Sequence, residues 1–245
     1  MQRAAPIGGQ WLGRIGYREA WALQKELVDA RVATEIDDRV LLLEHDAVLT
    51  LGRQADESHV LASHRELRRR GIELIRVERG GEVTYHGPGQ LVAYPIIRLG
   101  DRGILVRPLV AALEAAMIAT CAELGVDAFH RDGHPGCWVA GRAGAAPRKI
   151  GALGLRIERG VSYHGIALNI DPDLRDFDLI DPCGMPGLVS TSIAEELGRS
   201  AEPPTTAAVQ RAGTIFAEAF ANEIGASLER LPARATADAP EPVLA

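Results

Sequence analysis

Three long amphipathic segments are separated by clusters of short apolar runs, and the chain never settles into a regular strand-helix-strand alternation. That spacing argues for an α+β fold and against a doubly wound sheet. Tyr17 to Thr34 reads as a helix with Tyr17, Trp21, Leu23, Leu27 and Val28 on its core face. Pro108 to Leu124, with Pro108 in its first turn and Gly125 at its end, is a second. Thr205 to Ile224, carrying Val209, Ile215, Phe216 and Phe220, is a third. Val40 to Leu43 and Val48 to Leu51, closed by Gly52, suit a strand pair, and Ile72 to Val77 and Leu91 to Ile97 are further strands. His59 to Arg70 is expected to be a short helix stopped by Gly71. Cys137 to Ile170 alternates β-like runs with glycines, and Ser192 with Glu195 marks a capped helix to Leu197.

At 245 residues, 47% of them hydrophobic, the chain is long enough for one well-buried core, and a single domain over residues 1–231 is expected. Beyond Leu231 the alternation of Ala, Pro, Asp and Glu offers nothing to bury, so residues 232–245 are expected to be a disordered tail. No run approaches the ~18 consecutive apolar residues of a spanning helix, and the N-terminus lacks a signal-peptide pattern, so the cytoplasm is expected. The three cysteines, Cys121, Cys137 and Cys183, are too few and too scattered for a disulfide framework and read as free thiols. A net charge of -6 argues against a broad nucleic-acid footprint. Of the 27 basic residues only Lys25 and Lys149 are lysine. A lysine in an arginine background marks a position where a group that can release its proton is needed, which arginine cannot do.

Three stretches could carry chemistry. Arg79-Gly80-Gly81-Glu82-Val83-Thr84-Tyr85-His86-Gly87-Pro88-Gly89-Gln90 is either a ligand-lining loop whose glycines let the backbone approach closely, or a long hairpin; it matches no dinucleotide or P-loop pattern. Lys149 heads a glycine-punctuated β-like segment, where it is either an activating group or edge protection. Cys183, in Asp181-Pro182-Cys183-Gly184-Met185-Pro186-Gly187, lies outside any apolar periodic run and so suits a reactive thiol, whereas Cys121 inside a helix reads as a small core residue. His130, His134 and Cys137, with Asp132 between them, have metal-like spacing but no local fourth ligand, and no metal is expected. Arg68, Arg69 and Arg70 are a solvated helix end or a docking patch for an acidic partner.

Taken together, the Arg79 to Gln90 run, the Lys149 segment, Tyr163-His164-Gly165-Ile166-Ala167-Leu168-Asn169 and the Pro182-Cys183-Gly184 turn resemble the octanoyltransferase family of lipoate biosynthesis. The resemblance covers roughly Leu41 to Gly198. It implies a mixed sheet flanked by helices, as in lipoate and biotin protein ligases, and transfer of octanoyl from acyl carrier protein to a lysine of a lipoyl domain. The acceptors it implies are the lipoyl domains of 2-oxoacid dehydrogenases and the glycine cleavage protein. Cys183 matches the family's thioester-forming cysteine and Lys149 its activating lysine. Arg79, Gly80, Gly81, Glu82, Val83, Thr84, Tyr85 and His86, then Ala152, Leu153 and Gly154, then Gly165, Ile166 and Ala167, fall where the family lines its acyl pocket. No cofactor, nucleic acid or membrane is implied, and a monomer is expected. Cys137, where an aliphatic residue is expected, and the small residues Ala143 to Pro147 depart from the pattern.

A free thiol with a pKa of about 8.5 is only a few per cent thiolate at pH 7. The Lys149 ammonium would stabilise the thiolate, main-chain N–H groups near the glycines would hold the oxyanion, and after acylation the lysine could take the acceptor amine's proton. His86 is the reserve for that proton. The alternatives are an ATP-dependent lipoate ligase, a Cys/His hydrolase using Cys183 and His86, and a metal or ligand-binding module.

Overall fold

The computed structural model describes residues 5–182, 187–199 and 205–233; the expected tail beyond residue 233 and the expected nucleophile Cys183 lie outside them. Within the described residues a seven-stranded mixed sheet runs in the order β10-β1-β2-β6-β9-β8-β7. Its members are β1 (Ile7–Ile15), β2 (Arg39–His45), β6 (Gln90–Ile96), β7 (Cys137–Val139), β8 (Arg148–Glu158), β9 (Val161–Asn169) and β10 (Leu228–Arg230). β1 pairs in parallel with both β2 and β10, and the remaining pairs are antiparallel. A three-stranded sheet, β4-β3-β5, is formed by β3 (Val48–Leu51), β4 (Glu73–Arg76) and β5 (Val83–His86).

Helices cover both faces of the large sheet. Helices α4 (Val106–Glu123) and α6 (Thr206–Glu223) bury Leu113, Met117, Phe216 and Phe220 against Val40, Leu42, Leu91 and Ile166. On the opposite face α1 (Tyr17–Val32) sets Ala20 against Leu41, Leu43, Val92 and Ala167. The run Val40-Leu41-Leu42-Leu43 is apolar throughout because successive side chains feed two different cores. Short helices α2 (His64–Arg70), α3 (Leu99–Arg102) and α5 (Ile193–Glu196) complete the set. The caps read from sequence are in place: Gly71 takes the left-handed stop of α2 at φ 68°, and the Ser192 hydroxyl accepts from Glu195 N at 3.1 Å.

The expected strand pair needs correction. Val40 to Leu43 and Val48 to Leu51 do not pair with each other. β2 lies between β1 and β6, while β3 lies between β4 and β5. No tight-turn residues separate the two runs, and each finds distant partners instead. On α1 all five expected residues face the core, Tyr17 and Val28 buried and Trp21, Leu23 and Leu27 partly so, and Ala20, Gln24 and Arg31 complete the buried face. Polar residues belong there because Arg31 pairs with Asp38 at 2.7 Å and Gln24 serves a main-chain N–H of β9. β5 lies inside the stretch read as a loop, and β1, with three glycines in nine residues, had no strand-like pattern. The arginine cluster is an exposed helix end, with Arg70 bonded to Glu66 and Asp176.

Candidate active site

A bulge aims Lys149. In the pairing of β7 with β8, Trp138 opposes Lys149 and Cys137 opposes Gly151, so one step on β7 spans two on β8. The extra residue puts both Ile150 and Gly151 toward α4; a Cβ on Gly151 would lie 2.8 Å from Met117 Sδ. Lys149 thereby shares the other face with Ala152 and Gly154. Its side chain is nearly buried, its stem runs past Gly136, and its Nζ stands 5.2 Å from the centre of the Trp138 ring. Both main-chain groups are engaged by residues 189–191. Lys149 N–H donates to Val189 O at 2.9 Å, and Thr191 N–H donates to Lys149 O at 2.9 Å.

Lys149 lies on the wall of a half-open cavity between the two sheets. From the sequence-derived set, Ala152, Leu153 and Gly154 of β8 and Gly165, Ile166 and Ala167 of β9 line it. So do Arg79, Gly81, Glu82, Val83, Thr84 and His86. The Arg79 segment is laid across β8 by Gly80, whose N–H donates to Leu155 O at 2.9 Å. It is tied to β3 by the Arg79 guanidinium, which donates to both Thr50 O at 2.6 Å and Thr50 Oγ1 at 2.9 Å. Gly165 has to be glycine, since a Cβ there would lie 2.0 Å from Ala93 O.

Gly80 and Tyr85 do not line the cavity. Gly80 is spent on the contact with Leu155, and Tyr85 leaves β5 on the other side, its hydroxyl donating to Asp176 Oδ2 at 2.8 Å. Conversely, Tyr17, Tyr94 and His164 line the wall and were not chosen from sequence. His164 stood in a quoted motif, beside the glycine that was chosen. Tyr17 and Tyr94 sit in apolar runs where a tyrosine looks like core.

His45, His86 and His164 are held neutral. Burial lowers His45 to about 4, although its Nδ1–H donates to Ile15 O at 2.9 Å. Its Nε2 then accepts the Tyr94 hydroxyl at 2.8 Å. Burial, with His45 and Arg79 nearby, pushes His86 well below its ordinary value, and burial takes His164 to about 3. Burial also raises Tyr17 to about 12. His86 is therefore a weak proton acceptor at neutral pH, which counts against its reserve role.

A buried polar chain links His86 to the strand of Lys149. Gln90 Nε2 donates to Tyr85 O and to Asn169 Oδ1 at 3.0 Å, which turns Gln90 Oε1 toward His86 Nδ1 at 2.8 Å. Asn169 Nδ2 donates to Thr191 O at 2.9 Å, and Thr191 is the residue bonded to Lys149 O.

Cys121 and Cys137 are free and buried without exposure. Contact with Cys121 and desolvation push the Cys137 thiol up, so it is inert. Cys137 faces the core while His130 is bonded to Glu114 and Asp132. Among the described residues no three His, Cys, Asp or Glu side chains come together in a group that could hold a metal ion. No described helix is long and apolar enough to cross a membrane.

The model of the lipoyl protein ligase A/B catalytic domain matches residues 16–220, which include every wall residue of this cavity. The chain belongs to this family. Among lipoyl protein ligase A/B members it is similar to an octanoyltransferase of Acidobacterium capsulatum, 45% identical over 222 residues and covering 87% of this chain and 89% of that one. It is likewise 45% identical, over 195 residues, to an octanoyltransferase of Mycolicibacterium gilvum, covering 80% and 78%. Its fold matches a lipoate-protein ligase A solved with ATP, at a TM-score of 0.63 and 13% identity, covering 92% and 90%. A Thermoplasma acidophilum lipoate protein ligase solved with lipoic acid superposes at 0.62 with 13% identity, covering 92% and 89%.

Proposed function

We propose that this chain transfers octanoyl from octanoyl-acyl carrier protein to a lysine of lipoyl domains through a thioester on Cys183, the first step of protein lipoylation. Family membership, with octanoyltransferases at 45% identity over most of the chain, makes it an acyltransferase. The observation that carries the finer reading is the position of Lys149. It is bulged onto the cavity wall, and it is bonded through both main-chain groups to the segment that follows Cys183. Val189 is six residues from Cys183, a span of at most about 20 Å of extended chain.

In the first half-reaction the Lys149 ammonium stabilises the Cys183 thiolate, which attacks the carrier thioester; the carrier sulfur leaves as a thiol by taking a proton from Lys149, which is left neutral. The acyl chain lies along the small residues Ala152, Gly154 and Ala167, where about six methylenes offer on the order of 5 kcal/mol of burial. In the second, the acceptor lysine amine attacks the thioester carbonyl. Its proton passes to Lys149, and the Cys183 thiolate leaves. The incoming thioester already holds the activation energy, so no ATP enters. The reading extends to a monomer. It extends also to the cytoplasm, which suits free thiols. The acceptors are the lipoyl domains of 2-oxoacid dehydrogenases and the glycine cleavage protein.

The test is intact mass after mixing with octanoyl-carrier protein without ATP, then again after adding a lipoyl domain. One octanoyl mass gained, absent in Cys183→Ser and discharged to the domain, supports the mechanism. Octanoylation of the domain that needs ATP and passes through no adduct overturns it.

A further inference from the structure

His164 breaks the pattern of its strand. It sits in β9 at φ 54°, a left-handed conformation that a non-glycine residue rarely takes. In a regular strand successive side chains leave on opposite faces, yet the His164 ring stacks on its own neighbour Tyr163, with centres 4.8 Å apart and planes 27° apart. The turn also takes the His164 N–H out of the ladder, and Gln24 Oε1, from the buried face of α1, accepts it at 2.7 Å. The result is an imidazole that is 1% exposed, lines the cavity, and has no hydrogen-bond partner at Nδ1 or Nε2 among the described residues. The amide nitrogen of Gln24 is likewise buried without a partner there. Strain and two unmet polar atoms are costly in one residue unless something bound in the cavity meets them.

Its position says which part of a ligand that would be. His164 opposes Leu155 on β8, six residues beyond Lys149, roughly 20 Å at ~3.3 Å per residue. Lys149 and His164 both line the cavity and stand at the two ends of that span, which has room for an extended eight-carbon chain, roughly 9 Å. Along the way the wall is Ala152, Gly154, Gly165 and Ala167; at the end it is His164 with Tyr94, whose ring stands edge-on to it at 6.3 Å.

Resting on the transferase reading, we propose that His164 is the chain-length stop of the cavity, its imidazole holding a hydrogen-bonding group beyond the end of an eight-carbon chain. With a plain alkyl substrate that group is an ordered water. A longer chain must drive its methyl end against the imidazole and expel the water, leaving the ring nitrogen it served unmet. Eight carbons are preferred because the apolar wall ends there.

The experiment compares hexanoyl, octanoyl, decanoyl and dodecanoyl thioesters as donors to Cys183 in wild type and His164→Gly, read by the rate of adduct formation in intact mass. Glycine accepts φ 54° without strain and removes the ring. The decanoyl-to-octanoyl rate ratio is expected to rise at least ~10-fold in the variant, the scale on which pocket shape discriminates methylenes. A ratio unchanged within about twofold in an active variant overturns the proposal. Should the variant not fold, wild type decides with 7-hydroxyheptanoyl thioester, which has the length of octanoyl with a terminal hydroxyl. Acceptance within about threefold of octanoyl is expected, and a loss of ~10-fold or more, the mark of a hydroxyl buried against an apolar wall, overturns it. Wild-type protein that takes up no acyl group from any donor sinks the transferase reading, and this one with it. Selectivity lost in an enzyme that still acylates sinks only this one.

Discussion

The main-chain N–H of Thr191 donates to the carbonyl of Lys149 at 2.9 Å, and the carbonyl of Thr191 in turn accepts from Asn169 Nδ2 at 2.9 Å. The segment that follows Cys183 is thus clamped between the bulged lysine and a buried amide of β9. Lys149 holds that segment through its own main-chain groups, which a substitution of its side chain leaves in place.

That separation makes Lys149→Arg informative. The variant keeps a positive charge and the clamp, but guanidinium stays protonated near neutral pH. It is also larger, and the stem passes a backbone point where even a Cβ on Gly136 would lie 3.0 Å from Lys149 Cε. Cys183 acylation is expected to slow modestly, while discharge to a lipoyl domain falls by ~10²–10⁴, the range for a lost general base. Single-turnover mass measurements of the two halves check this. Discharge at the wild-type rate would show that Lys149 takes no proton.

Gly136→Ala tests the packing beneath the lysine. Gly136 has φ 124°, and a Cβ there would stand 2.4 Å from Gly151 O. A left-handed alanine against a carbonyl is expected to cost about 1–3 kcal/mol in urea unfolding. It should also lower the rate of adduct formation by displacing Lys149. A variant as stable and active as wild type would mean that β7 and β8 separate easily.

Much of this was legible in sequence, and the gaps have physical causes. The long helices α4 and α6 and the caps at Ser192 and Gly71 depend on local spacing, and they stand within a few residues of expectation. Strand partners depend on contacts far apart in the chain, so β2 and β3 looked like a hairpin although each pairs elsewhere. Glycines hid β1 and β5, because the close approaches that need glycine here occur inside strands as well as in loops. Gln24 and Arg31 broke the apolar stripe of α1 because one serves the strained His164 and the other an ion pair with Asp38. Of the pocket residues read from motifs, Gly80 and Tyr85 alone face elsewhere, which no motif could tell. Cys183, the residue on which the proposed chemistry depends most, lies outside the described residues.

Thiol labelling of native protein should consume one equivalent. Cys121 and Cys137 are fully buried and face each other across the core, so neither meets reagent until the chain unfolds. Native Cys183→Ser should take up none, and denatured wild type should take up three. Rapid labelling of a second native thiol would mean that the α4–β7 contact opens readily.

Asn169→Ala removes the link between Gln90 and Thr191. The side chain is buried, donating to Thr191 O and accepting from Gln90 Nε2. Its loss leaves Thr191 O and one of the two Gln90 Nε2 hydrogens unpaired, at about 1–3 kcal/mol each. Unfolding free energy is expected to fall by about 2–4 kcal/mol, with adduct formation slowed because the strand at Thr191 is released. Asn169→Asp keeps the acceptor for Gln90 and loses the donor to Thr191. If adduct formation is slow in both variants, the Thr191 bond positions the site; if only alanine slows it, the Gln90 bond does.

Stability should fall steeply in mild acid. His45 and His164 titrate near 4 and 3 in the folded chain, against 6.5 for an ordinary histidine, chiefly through burial. A depressed histidine pKa means that the unfolded chain binds the proton which the folded chain refuses. The loss therefore begins as pH drops below about 6.5 and continues to about 4 and below, with none above 7. For His45 the difference, 6.5 less 4, is worth about 3 kcal/mol. Urea unfolding between pH 7.5 and 4.5 should show stability falling with pH and proton uptake on unfolding. His45→Gln, which cannot charge, should flatten that slope while costing stability at pH 7.5. An equal slope in the variant would place the acid sensitivity elsewhere, first at His86, the third buried imidazole of the group.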